Sequence, residues 1–353
     1  MTSTPTVDLA DRFRRHAEMS DRMGAPLYAA LTRAMADDWA AGGVVRTICA
    51  GWDEATESDL VSLRFLGSLH RLVLTGRAPS LVAYYRNLGG TRAPDDVWPV
   101  ARSVIEAFAD DIRADLAVVP QTNEVGRSVA LLVALFRAAA QTGLTRIRLL
   151  EVGASAGLNL LIDRYRFEGP GWSWGPAESP VCFDVDATVE ARPIEIVARR
   201  GCDLEPVDPT TPAGRLRLKS FVWPDNVERY RRLEGALDVA ARWPVRVDRS
   251  EVSPWLRERL AESVDDDVLT VVWHSVVWQY LDPVARRESE SVIAAAAERM
   301  PLAHASMEPA DLSRAADIVL TLTTYDAGQA STTELGRPHP HGLPLRLSSG
   351  AAS

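Results

Sequence analysis

The chain has 353 residues, 46% hydrophobic and 25% charged, the proportions of an ordinary globular protein with room for one large domain and a smaller one. Its 48 acidic residues outnumber 39 basic ones for a formal charge of −9, and the arginines are scattered along helices, which argues against a nucleic-acid surface. Cys49, Cys182 and Cys202 stand too far apart for a Cys-x-x-Cys zinc or redox pair. No apolar run approaches the roughly 18 residues of a membrane span, and the opening residues lack a basic-then-apolar signal. The expectation is a cytoplasmic protein with a small-molecule partner, no nucleic acid and no membrane.

From residue 8 to 142 the pattern is helical. Leu27, Leu31, Ala34 and Met35 follow the 3,4 spacing of a buried helix face, as do Leu60, Leu63, Leu66, Leu69 and Leu74. Breaks fall at Gly42 and Gly43, from Gly76 to Pro79, at Gly89 and Gly90, and at Pro94. The β-branched run Val44 to Ile48 is the one strand-like piece. A long apolar helix is predicted over 129–140, with Thr122 or Asn123 as its N-cap and Glu124 favourable to its dipole.

After Gly143 strand-like and helical runs alternate, which predicts a parallel sheet built from βαβ units. Strands are expected at 146–152, 194–199, 245–248, 268–274 and 302–307, and helices at 157–165, 226–242, 254–262 and 283–299. The runs 318–325 and 332–337 lie too close together for a crossover helix, so they should form an antiparallel hairpin. Residues 168–192, rich in Gly, Pro and Trp, read as an insertion in loop or hairpin form, with Trp172 and Trp174 as a potential lid. Two domains follow: a helical cap over 1–142 and an α/β domain over 143–353.

The most informative stretch is Leu149 to Leu161, in which an apolar strand ends at Glu151 and Gly153, Ser155 and Gly157 lead into a helical pattern. A strand that turns tightly into a helix leaves the first backbone N–H groups open for a ligand. As Gly-x-Ser-x-Gly it is also a nucleophile elbow, with Ser155 attacking and His304, His339 or His341 as base. A hydrolase elbow requires several strands and an oxyanion loop upstream, and neither is visible here.

Read as acid-x-Gly-x-Ser-x-Gly, the loop and the βα series after it resemble a class I S-adenosylmethionine-dependent methyltransferase, a Rossmann-like α/β sheet of five βα units and a C-terminal antiparallel hairpin. The resemblance covers about 200 residues from Arg146 onward. It implies S-adenosylmethionine as cofactor, with Gly153, Ser155, Gly157 and Asn159 in the cofactor loop and Glu151 on the cofactor's amino group. The ribose would fall to Asp203 or Glu205, the adenine to Asp248 or Glu251, and Trp273 or Trp278 would wall the sulfonium. The sequence departs from that pattern in two places. Ser155 stands where a glycine is usual, and about fifty residues, rather than about twenty, separate Glu151 from the second-strand acid.

His274, at the carboxyl end of an apolar strand, is the candidate general base and also lies by the cofactor. Glu308 and Tyr280 are further catalytic candidates, and Gln121, Asn123, Glu124 and Arg127 form a polar cluster for substrate. His339 and His341 could share a metal with His304 or Glu308, but no cysteine or tight acid cluster supports one and none is expected. The segments 120–127, 151–159, 274–280 and 339–342 also resemble landmarks of a bacterial family known only as a domain of unknown function. The expected activity is methyl transfer to a small-molecule acceptor, with a serine hydrolase through Ser155 or a non-catalytic methyltransferase-like binding module as alternatives.

Overall fold

The computed structural model describes residues 8–56, 59–312, 317–326 and 329–348. They divide into two compact units, one reaching up to Thr122 and including Thr211–Glu234, the other comprising Asn123–Thr210 and the chain from Gly235 onward. The division differs from the boundary at 142 that composition implied. The apolar helix before the sheet belongs with the sheet, and a later segment returns to the helices.

The helical unit begins with α1 (Leu9–Arg22), α2 (Pro26–Ala40) and α3 (Val44–Ile48). The Asp8 carboxylate caps α1, and Pro26 opens α2, where a missing N–H costs nothing. The helical α3 corrects the strand expected at Val44 to Ile48. Asp38 Oδ2 accepts the Val45 N–H at 2.8 Å, satisfying a donor that only a helix start leaves free. A Cβ on Gly43 would run into the same carboxylate, so local capping overrides the β-branched composition. Next come α4 (Val61–Leu74), α5 (Val97–Ala107) and α6 (Ala109–Asp115), around a core that includes Phe13, Leu31, Phe65, Leu69 and Ile105.

In the second unit α7 (Ser128–Thr142) leads into β1 (Arg146–Val152). Three short strands, β2 (Arg166–Gly169), β3 (Trp172–Trp174) and β4 (Cys182–Asp184), build a separate sheet in the order β3-β2-β4. This is the insertion expected at 168–192. Its tryptophans are no lid, since Trp172 and Trp174 both lie edge-on to Phe136 of α7. After β5 (Glu195–Asp203) the chain contributes α8 (Pro212–Ser220) and the start of α9 (Val227–Arg242) to the helical unit.

The sheet continues with β6 (Val247–Arg249), α10 (Val252–Leu260), β7 (Val268–Ser275), α11 (Pro283–Ala297) and β8 (Leu302–Pro309). It ends in β9 (Ile318–Asp326), β10 (Gln329–Pro338) and β11 (Leu345–Leu347). The spatial order is β11-β10-β9-β8-β7-β1-β5-β6, parallel from β6 to β8 and antiparallel beyond. The expected hairpin is therefore present as β9 and β10. Every residue of β7 is buried, as a strand covered on both faces requires. On one face Trp255, Leu256 and Ile293 of α10 and α11 pack against Leu150, Val152 and Val272. Among the described residues no helix is long and apolar enough to cross a membrane.

Candidate functional site

Strand β1 is the centre of the parallel sheet, and the chain builds outward from it first through β5 and later through β7. The gap between β1 and β7 is thus the point where strand order reverses, and the carboxyl ends there face the crevice in which such sheets bind ligands. Glu151 of β1 stands level with Trp273 of β7, and Val152 level with His274. Asp203 and Glu308 end the neighbouring strands at the same edge.

After Val152 the backbone enters the left-handed region at Gly153, Ser155 and Gly157, with φ values of +67°, +53° and +72°. Glycine suits the first and last of these, and both are also pressed by side chains. A Cβ on Gly153 would come within 2.2 Å of Val277, and one on Gly157 within 2.7 Å of Val245.

The loop's N–H groups do not stay open. Ala154 donates to the Cys202 carbonyl and Gly157 to that of Ala154. Ser155 N–H donates to Asp203 Oδ2 at 2.9 Å, and Asn123 Oδ1 accepts from Ala156 and Leu158 at 3.2 and 2.8 Å. Nor does an α-helix follow. Residues Leu158–Arg164 form 3-10 turns broken at Leu161, which corrects the helix expected at 157–165. The carbonyls an α-helix would use are diverted, Leu158 O to the Tyr165 hydroxyl at 2.6 Å and Leu160 O to Arg199 at 2.8 Å.

Glu151 is 2% exposed. Its Oε1 accepts a long hydrogen bond of 3.4 Å from the Asn159 amide, which Ser128 orients at 2.8 Å, and its Oε2 has no hydrogen-bond partner. Burial pushes the acid up to about 8; Asn159, the Arg127 charge and the adjacent Trp273 indole oppose this, and Asp203 adds to it. Between pH 4.5 and 8 this acid is held neutral inside the sheet.

A second buried group lies one strand away. His274, 1% exposed, pairs through Nδ1 with Glu308 Oε1 at 2.7 Å and through Nε2 with His304 Nε2 at 2.9 Å. Its ring stacks on Trp278 at 3.5 Å and 6°. Burial, and then His274, lowers His304 to about 3, so His304 is neutral at physiological pH. Glu308 accepts from His274 Nδ1, and one proton lies between the two Nε2 atoms. Glu308 also receives the Val277 N–H at 2.9 Å, and Val276 before it is held at φ +56°, a rare conformation for a β-branched residue.

Of the polar cluster expected at 121–127, Asn123, Glu124 and Arg127 lie at this edge. Asn123 does not cap its own helix, as expected from sequence; it caps the glycine loop instead. Glu124 caps Gly126 and faces His341 at 3.2 Å. Arg127 donates to the carbonyls of Ser275 and Pro340. A Cβ on Gly126 would strike the His341 carbonyl, so the turn containing His339 and His341 lies directly on this segment. Gln121 belongs to the other unit.

The remaining expected residues are either engaged within the protein or exposed. Asp203 accepts from Ser155 and Glu205 N–H groups at 2.9 Å each, serving the loop rather than facing away from it. Asp248 is held well below the usual carboxylate range by Arg200 at 2.6 and 3.0 Å, with Trp255 and Arg246 adding hydrogen bonds. Glu251 is exposed ahead of α10, and Tyr280 is 66% exposed. Ser155 Oγ is buried without a partner, and both His274 nitrogens are engaged elsewhere. Among the described residues no three His, Cys, Asp or Glu side chains are arranged to hold a metal ion.

The buried acid fits the amino group of S-adenosylmethionine. At the nucleoside end the glycine-loop N–H groups and Asp248 are already paired within the protein, while Asp203, which accepts two N–H groups, keeps lone pairs for ribose hydroxyls. Sequence reasoning missed Asn123 as a loop cap and His304 as the partner of His274. A histidine inside an otherwise small and apolar strand run was the available signal for the second.

No curated protein and no solved structure matches the chain. A family described as an uncharacterized protein conserved in bacteria (DUF2332) matches residues 10–346, a span that takes in both units. The chain therefore belongs to that family.

Proposed function

We propose that the crevice between β1 and β7 binds a ligand carrying an amino group on Glu151, and that this ligand is S-adenosylmethionine, used to methylate a small-molecule acceptor. The observation that carries the reading is the buried Glu151 carboxyl, with one oxygen unpartnered, at the strand-order reversal. When bound, the cofactor supplies an electrophilic methyl group. Glu151 would lose its proton and accept from the amino group, a charge-assisted bond that restores an ordinary carboxylate. The Trp273 indole beside it would help hold the ionised carboxylate. His274, fixed by Glu308 and His304, acts as a positioning residue for the β7 end, and Glu308 supports Val277 over the glycine loop. Rate enhancement would come from orientation of the acceptor.

Calorimetry with S-adenosylmethionine and its demethylated product at pH 7, in buffers of different ionisation enthalpy, tests this. Saturable binding with release of about one proton, weakened at least about tenfold in Glu151→Gln, is expected. Absence of heat at millimolar ligand sinks the reading. The left-handed Ser155 favours a hydrolase elbow, and labelling of Ser155 by a fluorophosphonate would assign the loop to that chemistry instead. Binding without methyl transfer would leave a non-catalytic binding module.

A further inference from the structure

The helical unit holds a second set of buried polar atoms that the crevice chemistry does not use. Tyr28 of α2 and Tyr85 are fully buried, and neither hydroxyl has a hydrogen-bond partner. His16 Nε2 and Asn87 Oδ1 are shut from solvent and equally unpaired. More than about nine in ten buried polar groups are satisfied, and an orphan forfeits its hydration without return. The four gather about one segment, His16 and Tyr28 at Trp223, Asn87 through its N–H on the Pro224 carbonyl and Tyr85 near Asp225, and mark a place for a ligand.

That segment, between α8 and α9, carries Trp223 and Asp225. The Trp223 ring lies 6.0 Å from both His16 and Tyr28. Asp225 acts electrostatically on both Tyr28 and Tyr85. Its side chain is 4% exposed, accepts the Leu27 N–H at 3.1 Å and makes a long ion pair of 3.8 Å with the exposed Arg86. His70 fixes Asn87. With His70 Nδ1 donating to the Ser220 carbonyl at 3.2 Å, Nε2 accepts from the Asn87 amide at 3.1 Å, which leaves Asn87 Oδ1 as an oriented acceptor.

We propose that this cluster is a binding site for a small primary amine in its ammonium form, held by Asp225, Asn87 Oδ1 and the hydroxyls of Tyr28 and Tyr85 against the face of Trp223. The acceptors call for N–H donors, and the aromatic faces favour a cation. Burial lowers His16 to about 4, so it adds no competing positive charge near neutrality. An anion would meet the Asp225 carboxylate, and a quaternary ammonium would leave the acceptors unpaired. The site is independent of Glu151, which lies in the other unit.

The test is calorimetric titration of the full chain with propylammonium and with tetramethylammonium chloride, with thermal melts in parallel. Propylammonium should bind saturably in the millimolar range and raise the melting temperature, and tetramethylammonium should bind at least about tenfold more weakly. In a Glu151→Gln background, which removes the amine site proposed for the crevice, Asp225→Asn should weaken propylammonium at least about tenfold and Tyr85→Phe several-fold. Tyr85→Phe deletes only a hydroxyl and keeps the test valid if Asp225→Asn fails to fold. No saturation by 100 mM propylammonium (~100-fold above a millimolar constant), equal affinity in Tyr85→Phe, or loss in Glu151→Gln would overturn the proposal.

Discussion

Glu151 shows what one buried carboxyl does to a protein's energetics. Its unfolded value is near 4.5 and its folded value about 8. Below 4.5 the acid is protonated in both states and pH has no effect through it. As pH rises from 4.5 to 8, the unfolded chain ionises while the folded chain keeps its proton. Folding stability therefore falls across that window, by an amount on the order of a few kcal/mol. Urea denaturation of wild type and Glu151→Gln at pH 5 and pH 8 checks this. The variant should gain on wild type as pH rises, and parallel behaviour of the two would show that Glu151 is not held neutral.

Among the elements, the glycine loop depends on a residue about thirty positions upstream in the chain. Asn123 Oδ1 takes two N–H groups of the loop, those of Ala156 and Leu158. Asn123→Ala leaves both donors buried and unsatisfied, so it should cost about 2–4 kcal/mol in a urea melt and loosen exchange protection first at 154–158. A loss under about 1 kcal/mol would mean the loop holds itself without Asn123. The strand ends were legible in sequence because apolar runs bounded by Glu151 and His274 have a length and flanks that only strands satisfy. The loop was misread as a helix start for a physical reason: periodicity at 158–164 reports which residues are buried, not which carbonyls remain free to accept. Tyr165 and Arg199 decide the latter, and they are distant or side-chain effects invisible to spacing.

At the scale of the molecule, the helical unit is not a contiguous piece of chain. Residues 211–234 supply Phe221, which fits over Gly67, the Ser220 carbonyl bound by His70, and Asp225, which caps the Leu27 N–H. Residues 1–142 alone lack all three. That fragment should show no cooperative thermal melt by circular dichroism, and adding 211–234 through a short linker should restore one. A cooperative transition in the unextended fragment would show that the N-terminal helices are self-sufficient. Composition changes at 143 because strands begin there, and a change of element type is not a change of packing partner. The same limit explains why Tyr28, Tyr85 and Asp225, nearly two hundred positions apart at their extremes, were not grouped in the sequence.

By itself the sequence determined the helical start, the alternating α/β series, the closing hairpin and the acid-glycine loop, since local periodicity and backbone chemistry suffice for each. Only the tertiary structure decided that the loop's N–H groups are spent on Asn123 and Asp203, that His274 is bound at both nitrogens, and that Glu151 keeps an unpartnered oxygen. Hydrogen-bond satisfaction and burial depend on residues brought together from distant positions, and no pattern of spacing along the chain carries that information.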